Sequence, residues 1–373
     1  MVETLAITDV EAALLAGDHA GGLAAAAQLI DGDLSAPELA QLAAVLSAHG
    51  QNPLAAEVLA RACAMRPDDV HFAADLAQRL WMAGRTEAAI ASARRCCERW
   101  PQAPGLYRML GMMQLTGGRY LDALMAYATA HSLDPKDGTA LIGRACAFRL
   151  LSNQRTVPAR LGPLEARFAV SGRSLSVDFV HLSGEFYEAA ELLALDDLLA
   201  PGGVVVDVGA NLGNHAVYLL HAVQPKELVL FEPNPACVTV LRENLALNVT
   251  PSTRVVLHEE GVGREPGEFF FNEHDDLNNG LVPVAQGTAR AVKIVTLDER
   301  VPHADVLKID VEGMEIDVLA GARRLLRESR PVLFVEVQTR NREAFATLLT
   351  EFGYVEHRTF AYADYTNVVA RPA

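Results

Sequence analysis

The sequence is poor in the residues on which several classes of protein depend. It has 5 cysteines and 2 tryptophans among 373 residues, and the cysteines form neither a Cys-x-x-Cys pair nor a motif with histidine. A disulfide framework and a zinc site are therefore not indicated, and we expect buried, reduced thiols. No apolar run reaches the roughly 18 residues that a membrane-spanning helix needs. The N-terminus has acidic residues where a secretory or transit peptide needs a basic start, so we predict a cytoplasmic protein with no membrane span.

Basic residues are also scarce relative to acidic ones. The chain has 32 Lys and Arg against 47 Asp and Glu, which gives a formal net charge of −15. This sign disfavours binding to phosphate backbones, so we expect no nucleic-acid partner. The charge is uneven, with 14 basic and 16 acidic residues in 1–160 but 18 and 31 in 161–373. Because half of the residues are apolar and the chain is long, we predict two differently built domains.

The first part of the chain is a repeat array with a period of 34 residues between positions 36 and 137. Four columns of identical residues support the period. A leucine lies on the buried face of a first helix, and a glycine ends that helix in the left-handed conformation. An alanine lets a second helix approach closely, and a proline stops the second helix. The columns are Leu42, Leu76, Leu110; Gly50, Gly84, Gly118; Ala55, Ala89, Ala123; and Pro67, Pro101, Pro135. Each unit is therefore predicted to be a helical hairpin.

These columns resemble the tetratricopeptide repeat, most fully over residues 104–137. We therefore predict an all-α tetratricopeptide solenoid over residues 1–155, with a degenerate leading helix pair and a capping helix from Gly138 to about Leu151. Such an array typically docks a peptide, a protein or an acceptor carrier. It could instead be a rigid spacer or a dimerisation face, which leaves a homodimer open.

The second part alternates strands and helices. Residues 156–176 mix Pro, Gly and Arg without a helical period and are predicted to be a linker and extended entry segment. In 177–373, short β-branched runs at 204–208, 228–232, 254–259, 306–310 and 332–337 alternate with helical patterns, including one at 315–326, and two terminal runs face each other across a turn. This order predicts a Rossmann-like, doubly wound parallel sheet with an antiparallel edge hairpin. In such sheets ligands bind beyond the carboxyl ends of the strands.

The first strand end reads VVVDVGANLGNHA, in which Asp207 closes the strand, Gly209 permits a tight turn and Gly213 precedes a helix. This segment lacks the further glycines of the dinucleotide-binding fingerprint. The backbone therefore cannot approach a diphosphate as closely as it does in dinucleotide-binding proteins. Glu232 closes the next strand 23 residues after Gly209, where a carboxylate can accept hydrogen bonds from a ribose diol. The two strand ends thus combine a glycine turn with a carboxylate that can bind a ribose, and they have no diphosphate-binding loop. This combination predicts S-adenosylmethionine as the ligand.

Four ordered blocks resemble the FkbM-type methyltransferase family over about residues 180–371. The blocks are DVGANLGNHA, FEPNP, LKIDVEGMEIDVLAGA and RPVLFVEV. The resemblance implies a class I methyltransferase fold, S-adenosylmethionine as donor, and transfer to a hydroxyl, often on a sugar or a polyketide-derived product. It assigns these residues to the donor: Asp207, Gly209, Asn211, Gly213 and Glu232, with His215 lining the pocket and Glu259 or Glu260 near the adenine.

Methyl transfer to an alcohol needs a base close to the methyl group. The segment KIDVEGME offers Asp310 or Glu312 as that base, just where a strand leaves the sheet, with Lys308 as an orienting partner. Asp310 could instead only bond the loop backbone, and Glu315 is expected to cap a helix.

Two further interpretations concern the same region. We expect no resident metal, although Asp310, Glu312 and Glu336 could converge on one Mg²⁺ ion, since all three lie near neighbouring strand ends. The polar segment 272–280 could be a lid that carries His274 as a rival base, or it could be a surface turn.

The sequence as a whole predicts an S-adenosylmethionine-dependent O-methyltransferase. Its acceptor would be a glycan or natural product with a free hydroxyl, and the repeat domain would dock that acceptor or a partner protein. Two rivals remain open. One is a protein methyltransferase whose repeats grip the substrate chain, and the other is a scaffold that keeps the donor fold for shape only.

Overall fold

The computed structural model describes residues 6–16, 18–171, 175–195, 198–250, 252–271 and 290–373. Contacts between residues divide the chain into two units, Met1–Asn153 and Gln154–Ala373. The segment 272–280, which contains the predicted lid and His274, lies outside the described residues. No helix in the described ranges combines the length and the apolar character needed to cross a bilayer.

The N-terminal unit is all helical in its described part, and consecutive helices pack against each other. The helices are α1 (Ile7–Leu15), α2 (His19–Ile30), α3 (Ala36–Ala48), α4 (Asn52–Met65), α5 (Val70–Met82), α6 (Thr86–Arg99), α7 (Pro104–Thr116), α8 (Tyr120–Leu133) and α9 (Gly138–Leu151). Helix pairs recur along the chain, as predicted for a tetratricopeptide solenoid.

The glycine, alanine and proline columns act as the sequence predicts, whereas in the leucine column Leu42 and Leu110 are buried and Leu76 is only partly buried. The glycines that follow α3, α5 and α7 all have φ near +75°, a conformation that costs an L residue steric strain. The column alanines are fully buried, and α4, α6 and α8 each end two residues before a column proline. The 34-residue period is therefore a period of helical hairpins.

The C-terminal unit begins with a β-hairpin and two short helices. The elements are β1 (Thr156–Leu161), β2 (Leu164–Ala169), α10 (Leu175–Leu182) and α11 (Ala189–Leu193). The sequence predicted an extended entry segment here, and the structure shows that the extended residues pair with each other in antiparallel register.

A seven-stranded sheet forms the centre of this unit. Its strands are β3 (Val204–Val208), β4 (Glu227–Phe231), β5 (Arg254–His258), β9 (Val306–Ile309), β10 (Val332–Gln338), β11 (Tyr354–Ala361) and β12 (Tyr365–Pro372). The order is β11-β12-β10-β9-β3-β4-β5, in which β12 runs antiparallel to β10 and β11 and the remaining pairs are parallel. This is the predicted doubly wound sheet with an antiparallel hairpin at one edge.

A small sheet and the remaining helices complete the unit. The strands β6 (Gly261–Val262), β7 (Gly267–Phe271) and β8 (Arg290–Val295) form the order β6-β8-β7. The helices are α12 (Asn214–Val223), α13 (Pro235–Asn248), α14 (Leu297–Arg300), α15 (Glu315–Ala320), α16 (Arg323–Glu328) and α17 (Arg342–Phe352), with a 3₁₀ turn at Thr339–Asn341. Apolar side chains of β9, β10 and β12 form the core with α15 to α17.

The prediction of one continuous helix at 315–326 was wrong, because the structure has two short helices there. The break falls at Gly321 and Ala322, between α15 and α16. The Asp298 carboxylate accepts hydrogen bonds from the backbone N–H groups of Arg324 (2.8 Å) and Leu325 (2.9 Å). Asp298 thus caps the first turn of α16 from a distant part of the chain, which starts a new helix.

Candidate functional site

The loop after β3 folds tightly against two neighbouring strand ends. Gly209 has a φ of +77°, and its N–H donates to the Phe231 carbonyl at 2.9 Å. A methyl group at Gly209 would overlap the carbonyl oxygen of Asp310, which belongs to the loop after β9. The predicted glycine turn is therefore required both by its backbone conformation and by close packing.

Glu232, directly after β4, ties two loops together. It is buried, and its carboxylate accepts hydrogen bonds from the N–H of Asn211 and the N–H of Asn234, both at 2.8 Å. Burial raises the pKa of Glu232 to about 7, against the effect of these two hydrogen bonds. Each carboxylate oxygen has a second lone pair, so Glu232 can still accept from a bound hydroxyl.

A cavity opens beside Glu232 at the carboxyl ends of the parallel strands. Its lining combines apolar side chains, such as Phe231, Val262 and Ile294, with acids. Asn211 Oδ1 is buried beside the cavity and has no hydrogen-bond partner among the described residues. The cavity lining includes Val208, Gly209, Asn211, Phe231, Glu232, Pro233, Asn234, Cys237, Glu260, Gly261, Val262, Phe269, Ile294, Asp310, Val311, Glu312 and Met314. An apolar slot with a few polar groups at one edge suits a nucleoside-bearing ligand.

The two acids that follow β5 have different surroundings. Glu259 is exposed and forms an ion pair with Arg242 at 2.6 Å. Glu260 lines the cavity and accepts two hydrogen bonds from Arg300 and one from Lys293. Hydrogen bonds from Arg300 and Lys293 lower the pKa of Glu260 to about 2. Of the two acids predicted near the adenine, the structure places Glu260 at the cavity.

Lys308 on β9 is buried and holds the first strand end in place. Its Nζ donates to the Gly209 carbonyl (2.8 Å) and lies 3.1 Å from Asp207 Oδ1 and 3.5 Å from Asp310 Oδ2. Although burial alone lowers the pKa of Lys308, the charges of Asp207 and Asp310 raise it above its usual value. The predicted orienting lysine thus contacts the glycine turn as well as both strand-end acids.

Three carboxylates converge at the ends of β9 and β10. One oxygen from each of Asp310, Glu312 and Glu336 lies within 4.8 Å of the others, a spacing at which they could hold a divalent cation. Glu312 keeps part of its surface exposed, and its partial removal from water, together with the charge of Asp310, raises its pKa to about 7. The same causes raise the pKa of Glu336 above its usual range. Glu312 has a φ of +52°, a strained conformation for a non-glycine residue and one that recurs at functional sites.

His215 does not stand alone, because it pairs with an acid that the sequence did not single out. His215 Nε2 lies 3.0 Å from Glu188 Oε2, and the Asn367 side-chain amide donates to Glu188 Oε1 at 3.0 Å. Glu188 is nearly buried, with a φ of +55°. Its only sequence signal is an acid directly before a short helical run. Both His215 and Glu188 lie on the β10 side of the glycine turn.

Glu315 lies in the first turn of α15, but no side-chain cap forms there, so the expectation that Glu315 caps this helix was wrong. Glu315 instead joins two elements. Its carboxylate is fully buried, and Oε1 accepts hydrogen bonds from the Gln338 N–H and the Asn341 side-chain amide, both at 2.9 Å. It fastens the start of α15 to the end of β10. This contact holds the loop that carries Glu312.

The C-terminal unit matches a known family. Residues 207–362 match the model described as the Methyltransferase FkbM domain. The hexuronic acid methyltransferase AglP of Haloferax volcanii is 32% identical over 129 residues, which cover 33% of this chain and 52% of that protein. The 2-O-methyltransferase NoeI of Sinorhizobium fredii is 26% identical over 153 residues, covering 35% of this chain and 61% of that protein. The chain thus spans about half to six tenths of these relatives.

Two solved structures align with parts of the chain. A structure of MamA is 19% identical, with a TM-score of 0.31, and the alignment covers 39% of this chain and 84% of MamA. The ribosomal protein L11 methylase from Lactobacillus delbrueckii subsp. bulgaricus is 14% identical, with a TM-score of 0.34, covering 50% of this chain and 78% of the methylase.

Proposed function

We propose that this chain transfers a methyl group from S-adenosylmethionine to a hydroxyl of a glycan or natural product. The match of residues 207–362 to the FkbM methyltransferase domain supports a methyl transfer. The position of Glu232 carries the proposal. It is a buried carboxylate that joins the loops after β3 and β4 beside an open cavity. A carboxylate at this strand end is suited to bind ribose hydroxyls. The named activities of AglP and NoeI support a hydroxylated sugar as acceptor.

The residues around the cavity fit the proposed donor. Asn211 Oδ1 offers an unused acceptor, and Phe231 and Ile294 offer apolar surface to an adenine ring. Glu260, rather than Glu259, faces that surface. The residues that we assign to donor binding, directly or through the loops that they hold, are Asp207, Gly209, Asn211, Gly213, His215, Glu232 and Glu260.

When bound, the sulfonium of S-adenosylmethionine supplies an electrophilic methyl group. We assign the proton of the acceptor hydroxyl to a Glu312 carboxylate oxygen, because a base works best when its pKa lies near the working pH. Asp310 and Lys308 orient this loop relative to the glycine turn. Glu312 lies at the exposed rim, so it can release the proton to water. Asp310 as the base is the alternative that the tests must separate.

A divalent cation is the second way to activate the hydroxyl, since Asp310, Glu312 and Glu336 converge. A chelator separates the two mechanisms. Turnover that persists in EDTA, with no recovery on adding Mg²⁺ or Mn²⁺, supports the carboxylate base. Loss of turnover that either ion restores supports the metal.

We assign the unit Met1–Asn153 to docking of the acceptor or of a partner protein. Exposed apolar side chains on α8 and α9, such as Leu121, Met125 and Phe148, provide a surface for such contact. Replacing Met125 by Glu should raise KM for a large acceptor and leave donor affinity unchanged.

Incubation with methyl-labelled S-adenosylmethionine tests the proposal. Label should enter a glycan or small-molecule fraction, and Glu312→Gln should lower the rate by a factor of about 10² to 10⁴. Label that enters only protein would favour the protein methyltransferase. Absence of both donor binding and label would favour a scaffold.

A further inference from the structure

One face of the sheet carries a row of polar and aromatic side chains that leads away from the donor cavity. Residues paired directly across neighbouring strands place their side chains on the same face of a sheet. The register pairs Asp207 with Lys308, and Lys308 with Phe334 on β10. Because side chains alternate between the two faces along a strand, Glu336, two residues after Phe334, also lies on this face. The opposite face holds the apolar core.

The row continues onto β12. Glu336 pairs with Asn367, and Gln338 pairs with Tyr365, so these side chains share the face. Tyr365 stacks on Tyr362, with ring centroids 4.6 Å apart and planes inclined by 18°. The Tyr362 hydroxyl donates in turn to Glu191. The Tyr365 ring is therefore held in a fixed orientation beside the acids at the end of β10.

Tyr187 and Glu188, which lie directly before α11, are anchored beside this row. The Tyr187 backbone exchanges two hydrogen bonds with the Asn214 side chain, each of 2.9 Å, which anchors it to the start of α12. Glu188 bonds Asn367 from β12. Burial, together with the charges of Glu188 and Asp310, raises the pKa of Tyr187 to about 12, so its hydroxyl stays protonated and able to donate. We call Tyr187, Glu188, Glu336 and Tyr365 the acceptor wall.

The charges around the acceptor wall are mainly negative. Glu188, whose pKa is lowered by His215 and Asn367 against the effect of burial, belongs to it, and Asp310 borders it on the donor side. Burial, together with the charges of Asp310 and Glu188, raises the pKa of Glu336, so this region disfavours a further negative charge. Lys308 is buried and already contacts Asp207, Gly209 and Asp310. His215 pairs with Glu188.

One further cation lies at the margin. Arg340 is exposed, with its guanidinium packed against Gly313 on the outer side of the loop after β9. Its guanidinium could bind a carboxylate on an acceptor.

We propose that the acceptor wall binds an uncharged sugar residue and discriminates against a uronic acid. Carboxylates accept hydrogen bonds from sugar hydroxyls, and tyrosine rings cover the apolar face of a sugar, whereas a sugar carboxylate would meet like charges. The inference rests on the proposed function, because it takes the cavity beside Glu232 as the donor site. It narrows the acceptor relative to the printed activity of AglP, which acts on a hexuronic acid.

The test uses pairs of p-nitrophenyl glycosides that differ only at C6, glucoside with glucuronide and galactoside with galacturonide. The full chain is incubated with methyl-labelled S-adenosylmethionine, and binding of S-adenosylhomocysteine is measured separately. We expect the neutral member of at least one pair to be methylated at least tenfold faster than its uronide. Equal or faster methylation of the uronides would overturn the inference while leaving the proposed function intact. A faster uronide rate that falls in Arg340→Ala would identify Arg340 as the carboxylate ligand.

Variants of Tyr365 test the wall itself. Tyr365→Leu should raise KM for the neutral glycoside at least fivefold with unchanged affinity for S-adenosylhomocysteine, and Tyr365→Phe, which keeps the ring, should retain most of the wild-type KM. Equal KM values in wild type and Tyr365→Leu would overturn the assignment. If S-adenosylhomocysteine binds but no glycoside is methylated, the sugar class is wrong. If S-adenosylhomocysteine does not bind, the proposed function itself fails.

Discussion

Lys308 Nζ lies 3.1 Å from Asp207 Oδ1, and both side chains are buried at the end of adjacent strands. The ammonium group also donates to the Gly209 carbonyl, so one cation fixes the strand end and the turn that follows it. Asp207 has no other hydrogen-bond partner for its carboxylate among the described residues. The pair therefore stabilises the shape of the donor loop, and this makes Lys308 a positioning residue.

Lys308→Met should destabilise the C-terminal unit by about 3–5 kcal/mol, because it leaves the Asp207 carboxylate buried and without a counter-charge. Urea denaturation followed by circular dichroism measures the loss. Arg254→Met is the matched control, since it removes an exposed pair with Glu227 and should leave the midpoint almost unchanged. Equal midpoints for the two variants would contradict the assignment.

Gly209→Ala should weaken donor binding at least tenfold, since the added methyl group overlaps the Asp310 carbonyl oxygen and must displace the loop. Gly202→Ala provides the control. Gly202 also has a positive φ, of +87°, but no atom lies within 4 Å of the added methyl group. Both variants strain the backbone, but only Gly209 has the overlap and only Gly209 lines the cavity. Similar donor affinities in the two variants would show that the packing of the loop on Asp310 does not matter.

Turnover should rise with pH through about 7, because Glu312 must be ionised to accept the hydroxyl proton. Below that pH the carboxyl is protonated and inactive as a base. Glu312→Gln should lose this dependence together with most of the rate. Asp310→Asn should keep a pH dependence at a reduced rate, with its midpoint shifted to lower pH, because the charge of Asp310 is one cause of the raised pKa of Glu312. Loss of the pH dependence in Asp310→Asn alone would exchange the two roles.

Gly143→Ala should destabilise the helical unit by about 1–3 kcal/mol, because the new methyl group overlaps the ring of Tyr127, which is buried. At a helical position where the added methyl group has free space, a change from Gly to Ala stabilises the helix by up to about 1 kcal/mol. Gly138→Ala is that control, since its added methyl group meets no atom within 4 Å. Thermal unfolding of the two variants should therefore differ in direction. Equal shifts would contradict close packing of α8 on α9.

Local patterns predicted most of the architecture. The four repeat columns determine backbone conformation, burial and helix ends within a few residues, so the helical hairpins follow from sequence alone. The strand runs of the seven-stranded sheet and their order along the chain were equally readable, whereas the small sheet β6-β8-β7 was not predicted. The break at Gly321 was not, because its cause is Asp298, a capping side chain contributed by a distant segment.

The site was predictable wherever a motif stands at a strand end. Gly209, Glu232 and Asp310 line one cavity, as expected for neighbouring parallel strands, and Asp207 is linked to Asp310 through Lys308. Glu188 was missed, since its pairing with His215 and Asn367 joins three segments that have no common motif.

Calorimetric titration of the full chain with S-adenosylhomocysteine at pH 8 and pH 6 tests the central claim most directly. Ribose hydroxyls donate to the ionised form of Glu232, whose pKa is about 7 without ligand. We therefore predict micromolar binding that is tighter at pH 8 and is coupled to proton release. Glu232→Gln should bind at least tenfold more weakly with little pH dependence, since its amide would face the Asn211 or Asn234 N–H. No binding to the wild-type chain, or unchanged binding in Glu232→Gln, would contradict the account.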